Sequence, residues 1–235
     1  MSVRFREALV LSPHTDDAIT GAGVLMYKLV QHGCRVLYRV FCTCDDTLEG
    51  TGYPKGTIAR EDIAAASVLG VEDIVQYDFE NKHLGNSRQE ILDIIYGYRK
   101  NEKLDLVIAP YVGDFHQDHQ TVAEEALRAS TRHPVTILQY PVIGTSKDFN
   151  PNLYIPVSHE EADLKIKAIS CYETQLKFRG NWFNLENFWA EMRSRGVYIN
   201  ARFAEAFILV KGTLNIDQTR DNGRHRLARR SQSEG

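Results

Sequence analysis

At 235 residues, with 43% hydrophobic and 25% charged side chains, the chain has the length and composition of one sizeable globular domain with its own core. Its formal charge of -3 gives no basis for a nucleic-acid partner, and no apolar run approaches the ~18 residues of a membrane span. The charged opening Met1 to Glu7 is unlike a signal peptide, and four cysteines (Cys34, Cys42, Cys44, Cys171) do not make a secreted disulfide framework, so the expected compartment is the reducing cytoplasm.

The apolar run Ala8 to Leu11 reads as a parallel strand buried on both faces, ending at Ser12-Pro13-His14. A helix is expected from about Ile19 to His32, stopped by Gly33, then a strand over Arg35 to Cys42. An alanine-rich helix, Thr57 to Leu69, closes at Gly70. A strand over Asp73 to Phe79 and a helix over Gln89 to Lys100 follow. Leu104 to Ala109 reads as a strand broken by Pro110, Gln117 to Ser130 as a helix, and Val135 to Tyr140 as a fifth strand. This alternation predicts a Rossmann-like α/β fold, a doubly wound and mainly parallel sheet. Beyond Pro141 the pattern loosens into an α+β extension: a strand at Leu153 to Val157, helices over Glu160 to Leu176 and Leu185 to Ser194, and a strand at Ala204 to Val210. Residues 1–214 are expected to form one domain. Residues 215–235, with Arg220, Arg224, Arg226, Arg229 and Arg230, are expected to form a basic, flexible tail.

Two segments carry chemistry. Pro13-His14-Thr15-Asp16-Asp17 follows the first strand, and Asp114-Phe115-His116-Gln117-Asp118-His119 follows the fourth. In the common strand order 3-2-1-4-5-6 these strands are neighbours that straddle the switch point, where ligands bind. His14 and Asp17 are three residues apart, as are His116 and His119, so a helix-like turn aims each pair at one point. Imidazole and carboxylate suit zinc, whose catalytic sites use three protein ligands and water. The competing reading is that Asp16 or Asp17 merely caps the following helix. Cys42-Thr43-Cys44 is read as a pocket wall. Trp182, Phe183, Phe188 and Trp189 are read as core, with a sugar-stacking wall as the alternative.

PHTDDA resembles the P-H-P-D-D-E signature of the LmbE-like superfamily, which includes the N-acetylglucosaminyl-phosphatidylinositol de-N-acetylases, and HQDH resembles its H-x-D-H signature. Arg60-Glu61-Asp62 running to Leu69-Gly70, Lys167-Ala168 to Gln175, and Phe203 to Phe207 are similar to further motifs, in order along the chain. The resemblance implies a zinc-dependent hydrolase that removes an N-acetyl group from a small amino sugar or glycoconjugate. It assigns His14, Asp17 and His119 to the metal (Zn2+, with Fe2+ or another divalent ion as alternative) and Asp16 to the general base. His116, oriented by Asp118, stabilises the oxyanion or protonates the leaving amine, and Arg60 contacts substrate. Relatives often assemble as trimers or hexamers. Two positions depart from the pattern: Thr15 replaces a proline and Ala18 a glutamate that would orient ligands. An amidase for a thiol conjugate or antibiotic, and a degenerate metal-binding protein, remain alternatives.

Overall fold

The computed structural model of the chain describes residues 4–100 and 103–213; the arginine-rich tail expected from Asn215 lies outside them. In chain order the elements are β1 (Glu7–His14), α1 (Asp17–Gln31), β2 (Arg35–Cys42), α2 (Thr57–Val68), β3 (Asp73–Gln76), α3 (Arg88–Arg99), β4 (Leu104–Pro110) and α4 (Gln117–Ala129). Then follow β5 (Thr136–Tyr140), β6 (Leu153–Val157), α5 (His159–Ile169), α6 (Glu173–Phe178), α7 (Leu185–Val197) and β7 (Phe203–Lys211). The sheet runs β3-β2-β1-β4-β5-β7-β6, parallel from β3 to β5, with β7 antiparallel to both its neighbours.

Side chains alternate across a strand, and β1 shows why its sequence is apolar throughout. Ala8 and Val10 face Ala65 and Ala66 of α2 and Ala168 and Ile169 of α5. Leu9 and Leu11 face Ile91 and Ile95 of α3 and Val122 and Ala126 of α4. Both faces are therefore covered, as a doubly wound sheet requires.

Four expectations change. The sheet continues from β5 to β7 and only then to β6, so the last strand is inserted inside the edge. β3 ends at Gln76 and not at Phe79, although Tyr77 and Phe79 still donate N–H bonds to Val40 and Phe41 of β2. The helix expected over Glu160 to Leu176 is two, α5 and α6, because the chain turns at Tyr172 to carry its phenol inward. β4 runs one residue beyond Ala109, and Pro110, paired with Tyr140, is its last residue.

Helix α1 is itself interrupted. Ala22 leaves helical geometry (φ -139°, ψ 16°), which strips the next turn of its intrahelical acceptors. Glu205 of β7 supplies them, accepting from the N–H groups of Val24 (2.9 Å) and Leu25 (2.8 Å). Lys165 of α5 neutralises that buried carboxylate at 2.6 Å. The kink also presses α1 against β5: a Cβ at Gly21 would stand 2.8 Å from the carbonyl oxygen of Pro141. No helix among the described residues is long and apolar enough to cross a membrane.

Candidate active site

Parallel pairing of β1 with β4 brings their carboxyl ends together, and with them the two His/Asp segments. Helix α1 begins directly after β1, and its first-turn donors need an acceptor. Ser12 provides it: its hydroxyl accepts from Ala18 N–H at 3.0 Å. Asp16 occupies the N-cap position, yet its side chain makes no capping bond. The capping reading of the paired aspartates therefore fails, and both carboxylates are released for the cleft.

His14 Nδ1, Asp17 Oδ2 and His119 Nε2 form a small triangle, with edges of 3.0, 3.2 and 3.2 Å. Ligand atoms about 2.0 Å from a tetrahedral zinc stand about 3.3 Å from one another, so the triangle has the dimensions of three ligands sharing one ion. Each imidazole has a carboxylate at its other nitrogen, the arrangement that orients histidine ligands. Asp118 Oδ2 lies 3.1 Å from His14 Nε2, and Asp114 Oδ1 lies 3.1 Å from His119 Nδ1. The second contact is an ion-pair approach off the line of a hydrogen bond. Asp114 is fully buried and also accepts from the hydroxyls of Thr145 (2.9 Å) and Ser146. His116 belongs to a wider group: its ring stands with His14 and His119 such that one nitrogen from each lies within 4.8 Å of the others.

Asp118 meets His116 through its backbone and turns its carboxylate elsewhere. That carboxylate accepts from His14, from Lys82 N–H (2.8 Å) and from Leu84 N–H (3.1 Å). Only its backbone N–H meets His116, donating to Nδ1 at 3.2 Å. His116 is the N-cap of α4, and this bond leaves the proton of its neutral ring on Nε2.

The electrostatics call for positive charge. Burial opposes the charged form of His14, but Asp17 and Asp118 outweigh it and hold the imidazole up to about 10. Burial likewise opposes a charge on His119, and Asp17 and Asp114 raise it to about 9. Asp17, although buried, is held far below the carboxylate range by His119 and His14. Two imidazolium protons thus balance the carboxylates where a divalent cation would serve equally. Asp16 differs: burial first and the charge of Asp17 second push its carboxyl up to about 6. Burial, then His119 and His14, push His116 down to about 4, so it is neutral at pH 7.

A cavity of about 490 Å³ opens over the triangle, walled by Asp16, His116, Lys82, Gln175, Arg179 and Trp182 among others. Arg60 is not among its walls; it is exposed and bonds back to Lys55 O (3.3 Å) and Thr57 Oγ1 (3.0 Å) at the start of its own helix. Arg179 shares that cavity with Asp16, and its charge, after that of His14, acts on the carboxyl; the motifs did not single it out. The four aromatics divide: Trp182 is on the cavity wall, whereas Phe183 and Phe188 are buried in the core and Trp189 packs against the Val24 cluster.

A model of the GlcNAc-PI de-N-acetylase family matches residues 9–130, the span that holds both His/Asp segments. The chain belongs to this family. Solved structures of the same fold include a conserved protein from Thermus thermophilus (TM-score 0.72, 21% identity, 91% of this chain and 98% of that one). N,N'-diacetylchitobiose deacetylase from Pyrococcus horikoshii aligns at TM-score 0.68 and 22% identity, over 86% of this chain and 82% of that one. The 4-carboxy-2-hydroxymuconate hydratase from Pseudomonas putida aligns at 0.69 and 17%, over 91% and 100%. No curated protein matches the chain.

This member of the de-N-acetylase family carries Thr15 and Ala18 where the signature has proline and glutamate. Ala18 is fully buried and makes its N–H bond to Ser12. The Thr15 carbonyl is gripped from behind: Tyr38 OH (2.7 Å) and Tyr172 OH (2.8 Å) both reach it, and both also reach Asp62 Oδ1 at 2.9 and 2.8 Å. Two phenolic protons cannot serve four oxygen–oxygen contacts; a third, on Asp62, serves one more. Burial pushes the Asp62 carboxyl up to about 7, which supplies it. Folding therefore favours protonated Asp62. Its contribution to stability is complete below the unfolded value of about 3.9 and is lost as pH rises through 7. Asp62→Asn cannot titrate, so melting curves from pH 4 to 8 should show a shallower loss of stability than the wild type. Parallel curves would refute the protonated assignment.

Proposed function

We propose that the chain is a divalent-metal-dependent N-deacetylase of the cytoplasm, acting on the N-acetyl group of an amino sugar or glycoconjugate, with His14, Asp17 and His119 as metal ligands. The observation that supports this reading most is the 3.0–3.2 Å triangle with Asp16 beside it and outside it. When bound, the ion supplies Lewis acidity, which acidifies water and polarises the acyl carbonyl; zinc suits the two imidazoles and one carboxylate, and Fe2+ is compatible with them.

The remaining work falls to the protein. Asp16 lies on the cavity wall with a carboxyl that caps no helix, so it is free to take the proton from attacking water. His116, neutral and protonated on Nε2, donates to the oxygen that gains charge as the amide carbon becomes tetrahedral. Asp118 holds the His14 ring and, through its N–H, the His116 ring, so one residue orients both. Trp182 offers an aromatic face of the kind that stacks on sugar rings, and Arg179 contacts polar groups of the substrate.

Purified protein is expected to carry about one divalent ion per chain and to release acetate from at least one member of a panel of N-acetylated amino sugars. Chelation should abolish release, and added zinc or ferrous ion should restore it. Metal-loaded protein that releases nothing from any N-acyl sugar, thiol conjugate or antibiotic amide would overturn the reading and leave a metal-binding protein.

A further inference from the structure

Strand β2 ends at Cys42, which stands in register with His14 across the sheet. Two residues later Cys44 adopts a left-handed backbone (φ 59°), a conformation unfavourable for a non-glycine residue. Local bonds hold it there. Its N–H donates to Cys42 Sγ at 3.3 Å, and its carbonyl accepts from the N–H (3.0 Å) and hydroxyl (2.7 Å) of Thr47. The turn folds one thiol back over the other, with the sulfurs 3.5 Å apart. A disulfide needs about 2.05 Å, so the pair has roughly 1.5 Å to close.

The pair is also placed where it can react and where reaction matters. Both cysteines line a second cavity of about 820 Å³, and Cys44 also lines the 490 Å³ cavity over the triangle. Cys44 is half-buried and therefore reachable, and it forms part of the wall common to the two spaces. Cys34 and Cys171 are free thiols on β2's approach and on the α5–α6 turn, each bonded to a nearby backbone carbonyl.

We propose that Cys42 and Cys44 are a redox-active dithiol that a hydroperoxide converts to an intramolecular disulfide, reshaping the wall between the two cavities. The sulfur of Cys42, which accepts the Cys44 N–H bond that favours a thiolate, attacks hydrogen peroxide from the 820 Å³ cavity; the O–O bond breaks, a sulfenic acid forms and one water leaves. The sulfur of Cys44 then attacks that sulfenic sulfur; the S–S bond forms, the S–O bond breaks and the thiol proton leaves in a second water. Two thiols and one peroxide give one disulfide and two waters, and an external thiol reverses the change. Closure draws the Thr43–Cys44 turn towards β2 and moves the cavity wall with it. The thiol chemistry stands whether or not the deacetylase reading holds.

The test treats reduced full-length protein with hydrogen peroxide, then denatures and alkylates it with iodoacetamide before peptide mass analysis. The peptide with Cys42 and Cys44 is expected to carry no alkyl group and to lack two hydrogens, while Cys34 and Cys171 are alkylated. Dithiothreitol should restore alkylation of the pair. Full alkylation of both after peroxide, or sulfinic acid at either in place of the bond, overturns the proposal. For an identified acylated substrate, peroxide should raise KM several-fold in the wild type, reversibly, and leave the KM of Cys44→Ser at its untreated value. An unchanged wild-type KM with the disulfide formed would overturn the coupling to the cavity.

Discussion

Asp16→Asn is expected to lose turnover by about 10²–10⁴-fold while its metal content stays near the wild-type level. The substitution keeps the size and one acceptor oxygen but removes the group that takes a proton. The three atoms of the triangle are untouched by it. The same residue is expected to set the acid limb of the pH profile. Its carboxyl, pushed up to about 6 by burial and then by Asp17, is a base above that value and an acid below it. Wild-type kcat/KM should therefore fall as pH drops through about 6, and the residual activity of Asp16→Asn should lack that limb. Metal analysis beside the rate measurement decides the matter: loss of the ion in this variant would make Asp16 a ligand.

His116→Ala should lower kcat by about 10²–10³-fold, or about 2.7–4 kcal/mol, the range for deleting one oxyanion donor. Because burial and the neighbouring rings push His116 down to about 4, its proton on Nε2 persists as a neutral donor throughout the physiological range. The ratio of wild-type to variant rates should accordingly stay flat between about pH 6 and 8. The alternative place for His116 is in the metal shell, since its ring stands close to His14 and His119. Metal content separates the two: retention with lost turnover supports the donor role, and co-loss of metal and activity refutes it.

What the sequence disclosed follows how local each feature is. The β1 and β4 strands and the pairing of their loops were readable because apolar runs and three-residue spacings are local patterns, and the fold rule places strand ends at the switch point. Which carboxylate serves which ring was not. Asp118 lies two residues from His116, but the direction of its side chain follows from the docking of α4, and it reaches His14 on the other loop. Arg60 was drawn by its motif, while the cavity wall carries Lys82 and Arg179, the latter in a segment whose approach depends on the break between α5 and α6. That break is a tertiary effect: Tyr172 leaves the helix to reach Thr15 and Asp62, contacts more than a hundred residues away. Ser12 capped the helix in place of the adjacent aspartates because its hydroxyl, six residues before Ala18, reaches forward to the first turn.

The grip of Glu205 on α1 bears on where this protein's architecture can be divided. The family match ends at residue 130, and an experimenter seeking a minimal catalytic fragment would cut nearby. Such a fragment would expose the backbone donors of Val24 and Leu25 at the bend in the helix that springs from the His14 loop, and would strip Tyr172 from the carbonyl of Thr15. The loops bearing the histidines would then rest on a helix with no clasp and a peptide with half its tether. The last strand is the keystone of the first loop, and a fragment that keeps this clasp has to extend through β7.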